Sequence, residues 1–261
     1  MKRWLAIGML VLAGCANAPS QNQESYSGTA AGIGNESPER HRARLHTDLG
    51  AGYFSQNKLA IALEEFSSAV QIDPGYPGAY NGLGLVYAAL HEDDKAEANF
   101  KRAVQLEPSN SEAHNNYGTF LCSRNRIDDS IKEFMAALKN PLYSSPESAW
   151  MNAGICALRK GDEKNAETYL TNALQIQPNL RNANYQLANI YFKRGNKTLA
   201  NRHIQFALQE GAPTPDVAYL GWRIARAVGD QNAEASLALL LRNQFPDSEQ
   251  TRAVAQEASA Q

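Results

Sequence analysis

The chain has 261 residues, 43% of them hydrophobic and 20% charged, with a formal net charge of -2. That balance excludes a largely disordered polyelectrolyte and a bundle of membrane spans, and it lacks the basic excess of a nucleic-acid-binding surface. The length suits one or two compact domains, or one elongated array whose core grows with each added unit.

The first element is a short leader. Lys2 and Arg3 supply positive charge, Trp4 to Leu12 form an apolar stretch too short to span a bilayer as a lasting helix, and Leu12-Ala13-Gly14-Cys15 ends it with small residues and a thiol. This ending resembles a bacterial lipoprotein lipobox. The resemblance implies removal of residues 1–14 as a signal peptide, acylation of Cys15, and sorting to the periplasmic face of the outer membrane, since Ala16 rather than Asp follows the cysteine. Several acyl chains at about 0.8 kcal/mol per buried methylene make detachment rare.

Residues 15–40 are rich in Ser, Asn, Gln, Gly and Ala and carry few large apolar groups, so they are expected to form a lipidated, flexible tether reaching roughly 25–30 Å. The spaced glycines between Gly28 and Gly34 do not make a phosphate loop, because no strand precedes them and no Gly-Lys-Ser/Thr follows.

From residue 41 the pattern changes to amphipathic helix. Pro74, Pro108, Pro178 and Pro246 fall 34, 70 and 68 residues apart. Proline has no NH to donate and clashes with the preceding turn, so each one marks a helix end. A 34-residue period of helix, turn, helix and proline is the tetratricopeptide signature. The expected fold is all-α, a right-handed superhelix of six helical hairpins over 41–248, with repeats near 43–76, 77–110, 111–144, 147–180, 181–214 and 215–248, followed by a C-terminal tail over 249–261. The register slips by two residues at Ser145 and Pro146.

Numbering each repeat from 1 to 34, Gly50, Gly84, Gly118 and Gly154 fall at position 8, and Ala62, Ala96 and Ala166 at position 20. Small residues there let the two helices of a hairpin approach closely. Phe66, Phe100 and Phe134 at position 24, and Tyr53, Tyr87 and Tyr191 at position 11, fill the space between helices. Repeat six departs from the rule, with Trp222 at position 8 and Glu234 at position 20, as a terminal cap is expected to.

Catalytic and metal motifs are not in evidence. The five histidines are scattered, and the chain has no His-Glu-x-x-His, Gly-x-Ser-x-Gly or Cys-x-x-Cys. The expectation is a binding protein: no enzyme, no metal, no cofactor beyond the lipid on Cys15, and a monomer. Cys122 and Cys156 lie on first helices of neighbouring repeats, on flanks that face each other at about 100° per residue. Either a disulfide or two separate buried thiols fits that placement.

First-helix positions 2, 5, 9 and 12 are expected to line a concave groove for a partner. They comprise Arg44, Thr47, Ala51 and Phe54 in repeat one, Asn81, Leu85 and Ala88 in repeat two, and Asn182, Tyr185, Asn189 and Phe192 in repeat five. For each of these, packing between adjacent repeats is the competing role.

The stretches Glu112-Ala-His-Asn-Asn-Tyr-Gly-Thr-Phe-Leu-Cys122, Asn140-Pro-Leu-Tyr143 and Asn152-Ala-Gly-Ile-Cys-Ala157 resemble the PilF/PilW family of type IV pilus biogenesis lipoproteins. The resemblance implies a pilotin that helps the type IV pilus secretin reach the outer membrane and multimerise, with no nucleic acid as partner. A scaffold for peptidoglycan-remodelling enzymes or for outer-membrane protein assembly has the same general pattern and is the alternative.

Overall fold

Residues 36–259 are described by a computed structural model. The leader, Cys15 and the tether up to residue 35 lie outside the described residues. Thirteen α-helices and no strand occur among the described residues. They run as α1 (Pro38–Ser55), α2 (Leu59–Ile72), α3 (Pro77–Ala89), α4 (Asp93–Leu106), α5 (Ser111–Ser123), α6 (Ile127–Ala137), α7 (Pro146–Arg159), α8 (Glu163–Ile176), α9 (Arg181–Lys193), α10 (Lys197–Gln209), α11 (Pro215–Val228), α12 (Gln231–Gln244) and α13 (Glu249–Ser259). Each odd-numbered helix up to α11 pairs with the next helix as an antiparallel hairpin, and successive odd-numbered helices touch, so they form one continuous inner face.

The four periodic prolines each stand two residues beyond a helix end, after α2, α4, α8 and α12. Other prolines open helices instead: Pro38, Pro77, Pro146 and Pro215 occupy the first turn, where the missing NH costs nothing. Side-chain caps fix several starts, with Asn110, Asp162, Asn196, Thr214 and Asp230 accepting from backbone NH groups three residues on.

Two stretches differ from the sequence reading. The tether does not extend to residue 40, because Ser37 caps α1 by accepting from the Arg40 NH at 3.2 Å, and Arg40 then reaches Asp73, the Gly75 carbonyl at 3.2 Å and the Tyr76 ring at 5.3 Å. The residues from 249 are not a plain tail: α13 packs on α11 and α12 and buries Val254 against Trp222, Leu237 and Leu241. A stacked array leaves its last hairpin with a bare apolar face, and α13 covers it.

Within the hairpins the small-against-large rule has a direct geometric cause. A methyl at Gly84 would sit 2.7 Å from the Phe100 ring, at Gly118 2.8 Å from Phe134, and at Gly154 2.6 Å from Leu170. Phe66, Phe100 and Phe134 are buried in turn, each stabilising by about 1.5–3 kcal/mol. Every first helix ends in the same turn, with a left-handed residue at position 15: Asn57, His91, Asn125, Gly161, Gly195 and Gly229 all have φ between 57° and 80°. Glycine adopts that region freely and asparagine and histidine more readily than most residues, His91 being the one residue of the six that is neither Gly nor Asn.

Exposed ion pairs stitch neighbouring repeats along the hairpin tips. Arg124 bonds Asp93 at 2.7 Å, Lys160 bonds Asp128 at 2.6 Å, and Arg194 bonds Glu163 at 3.3 Å. Pairs of this kind contribute up to about 1 kcal/mol each.

One buried polar contact couples repeat five to pH. Asn184 donates through Nδ2 to the Pro178 carbonyl at 2.8 Å, which leaves its Oδ1 to accept from Nδ1–H of His203 at 2.9 Å. Burial, with the nearby Arg202 charge, pushes the His203 imidazole below its ordinary value of 6.5. The unfolded chain therefore binds the proton first, and stability is expected to fall as pH drops from about 6.5 toward the folded-state value. Urea midpoints at pH 7.5 and 5.5 should differ, and His203→Gln should flatten that difference. Carboxylates do not obscure the window, since Glu97, held near 2 chiefly by hydrogen bonds from Lys101 and Arg126, loses its contribution only below about 4.5.

Candidate partner-binding groove

The inner face is built from the odd-numbered helices, whose core-facing sides carry the small and aromatic residues above and whose opposite sides remain open. Three cavities along it account for most of the positions expected to bind. At the N-terminal end, Thr47, Ala51, Phe54, Asn81 and Leu85 line a cavity of about 340 Å³ together with Asp48, Phe66, Tyr76, Glu107, Asn110 and Glu112. At the C-terminal end, Tyr185 and Asn189 line one of about 360 Å³ with Asp216, Tyr219, Arg223, Glu249 and Gln250. Phe192 lies in an adjoining recess with Arg223, Arg226 and Glu257.

Several of these residues serve packing and groove at once. Phe54 packs on the cluster of Ala62, Phe66, Leu83 and Val86, and Leu85 on that of Phe100, Tyr117, Phe120 and Leu121, while both still face the cavity. Arg223 stands over the Phe192 ring at 5.1 Å and the Tyr219 ring at 5.8 Å, so its charge is held on an aromatic platform.

Three expected positions fall outside the cavities. Ala88 packs against the Phe100 and Tyr117 cluster. Arg44 donates to His41 Nδ1 at 2.9 Å and lies 3.8 Å from Asp48, beside the N-terminal cavity rather than in its wall. Asn182 is exposed and accepts from Gln186 at 3.5 Å.

The middle of the face was missed. A polar cavity of about 510 Å³ is walled by Glu107, Asn110, Ser111, Glu112, Asn115, Asn116, Asn140, Tyr143 and the serines around the register slip. Asparagine amides link neighbouring helices across this face: Asn116 donates to Asn81 at 3.3 Å, and Asn152 to Asn115 at 3.1 Å. The available signal was asparagine at position 5 of repeat two, at positions 5 and 6 of repeat three and at position 6 of repeat four. Asn140 fixes the loop after α6 by donating to the Ser109 carbonyl at 3.2 Å and accepting from the Leu142 NH at 3.0 Å, which leaves Leu142 88% exposed.

Cys122 and Cys156 are joined as a disulfide between α5 and α7, their Cα atoms 5.9 Å apart, with Ile127, Phe134 and Ala153 around them. Histidine and carboxylate pairs brace hairpins: His46 meets Glu65 at 2.7 Å, and His114 meets Glu133 at 2.6 Å and the Pro108 carbonyl at 3.1 Å. Among the described residues no group of three His, Cys, Asp or Glu side chains is placed to hold a metal, and no helix is long and apolar enough to cross a membrane. The inner face presents rings, amides and carboxylates, with Arg223 and Arg226 at its C-terminal end.

Comparison with known proteins places this arrangement. Residues 50–91 match the TPR repeat family, and residues 77–110 and 123–180 match the tetratricopeptide repeat. The type IV pilus assembly protein PilF of Pseudomonas aeruginosa is 25% identical over 245 residues, covering 94% of this chain and 92% of PilF. The crystal structure of PilW, a widely conserved type IV pilus biogenesis factor, superposes with a TM-score of 0.73 and 31% identity, covering 82% of this chain and 98% of PilW. The structure of Pseudomonas aeruginosa PilF superposes with a TM-score of 0.79 at 23% identity, over 85% of this chain and all of the chain in that structure.

Proposed function

Since the chain belongs to the PilW family of tetratricopeptide type IV pilus biogenesis factors, we propose that it acts as a pilotin, bringing the secretin subunit of the pilus machine to the outer membrane and promoting its multimerisation. The observation that carries this reading is similarity to PilW over nearly the whole of that protein, combined with an inner face open along its length. The work done is binding, without a chemical step and without a cofactor. Acylation of Cys15 holds the chain at the periplasmic face of the outer membrane, and the residues after it act as a tether. A client segment held in the groove is thereby confined to a layer a few tens of ångströms deep at that membrane, which raises its local concentration for ring assembly.

Deleting the gene tests the reading. Detergent-resistant secretin multimers should disappear and return with the wild-type chain. Cys15→Ala should release the chain from the outer-membrane fraction and leave the multimers reduced. Normal multimers in the deletion strain, with altered peptidoglycan fragments instead, would overturn the pilotin role in favour of a scaffold for wall-remodelling enzymes.

A further inference from the structure

The N-terminal and middle cavities are one surface, because Glu107, Asn110 and Glu112 belong to the walls of both. Its two ends differ in chemistry. One end offers the half-buried Phe54 and Leu85 to an apolar group, above the buried Phe66. At the junction stand Glu107 and Glu112, with Asp48 on the near wall, and neither wall contains a Lys, Arg or His. Asp48 has Arg44 beside it at 3.8 Å, and Glu107 accepts only a neutral amide, from Asn110 at 2.7 Å. The field at the junction is therefore negative, and it raises the Tyr143 hydroxyl, after burial, through Glu112 and Glu147. Ser111, only 6% exposed, lines the polar end with a hydroxyl that has no hydrogen-bond partner. The C-terminal end of the groove is different, with Arg223 in both of its recesses.

We propose that the N-terminal half of the groove docks a basic peptide segment, one large apolar side chain seated between Phe54 and Leu85 and a Lys or Arg a few residues away at Glu107 and Glu112. The inference rests on the partner-holding reading above and gives that partner a chemistry. Helices pack 8–10 Å apart, so the face from α1 to α5 suits an extended segment of about six residues. The carboxylates select positive charge and speed its encounter, while the apolar pocket supplies most of the holding energy.

The test uses the full chain in detergent and a panel of fluorescein-labelled octapeptides carrying one Leu, Phe or Trp and two Lys at every spacing, with a matched panel in which Glu replaces Lys. By fluorescence anisotropy the best Lys peptides should bind about tenfold more tightly than their Glu counterparts. Glycine in place of the apolar residue should abolish binding, and raising the salt from low to physiological should weaken it. Glu107→Gln with Glu112→Gln, both at exposed positions, should erase most of the preference while the thermal melt stays unchanged. Equal binding of the two panels, no binding of either, or an undiminished Lys preference in the double variant would overturn the proposal. So would concentration-dependent dimerisation that the same variant abolishes, since the groove would then belong to a second copy. If the peptides fail while secretin multimers still require the chain, only the basic-segment inference falls; if they bind while multimers form without the chain, only the pilotin role falls.

Discussion

Trp222→Ala is expected to be the most destabilising single substitution in the C-terminal half, costing about 3–5 kcal/mol. The reason lies in an exchange of volumes between positions 8 and 24 of each hairpin. The pairs run Gly50 with Phe66, Gly84 with Phe100, Gly118 with Phe134, Gly154 with Leu170 and Ala188 with Ile204. In repeat six the order reverses, with Trp222 on the first helix and Ala238 on the second. Trp222 is 1% exposed, lies 6.0 Å from the Tyr219 ring, and shares a cluster with Leu237, Leu241 and Val254, so it joins α11, α12 and α13 at once. Removing it leaves a cavity where three helices meet. Because each repeat contacts only its neighbours, hydrogen exchange should accelerate in α11 to α13 and stay unchanged in α1 to α4. Adding Ala238→Phe to Trp222→Ala restores the pairing used by the earlier repeats and should recover at least about 1 kcal/mol. A double variant no more stable than Trp222→Ala alone would sink the volume-exchange account.

That reversal also marks where sequence reasoning holds and where it stops. Positions 8, 20 and 24 are legible because close packing demands a fixed sum of side-chain volumes, and volume is written in residue type. The left-handed turn at position 15 follows the same 34-residue period, yet His91 interrupts its run of Asn and Gly and hides it. Over residues 249–257, helix α13 buries Val254 strongly and no other apolar residue, and it lies beyond the last periodic proline, so its pattern alone does not separate it from a tail. Its cause is the uncovered face of α11 and α12, which is a tertiary fact. The groove divides similarly. Positions 2, 5, 9 and 12 identify Thr47, Phe54, Leu85 and Tyr185, because helical spacing fixes which residues share a face. The middle cavity depends on how the loop over residues 138–145 folds back to Ser109, and no periodicity encodes that.

The second large effect belongs to Cys122 and Cys156, which close a loop of 34 residues. Cross-linking a loop of that length removes enough freedom from the unfolded chain to stabilise the fold by about 3–4 kcal/mol. Reduction of the wild-type chain should lower its urea midpoint by the corresponding amount, and Cys122→Ala with Cys156→Ala should lower it at least as far, since Cys156 is buried beside Ser130 and its loss adds a small void. The reduced wild-type chain is the cleaner comparison because both sulfurs remain in place. The bond spans the one place where the repeat register slips, so nothing in the regular period sets the spacing of α5 and α7 there. Holding those two helices together fixes Asn115 against Asn152 and, through the loop between them, the wall of the middle cavity. Reduction should therefore also accelerate hydrogen exchange in α5 to α8 and weaken binding at the groove, while Arg159, which donates to the Cys122 carbonyl at 2.7 Å, keeps the two helices in contact. An unmoved urea midpoint on reduction, or two thiols that alkylate without reductant, would remove the link from the account and leave packing alone to set that spacing.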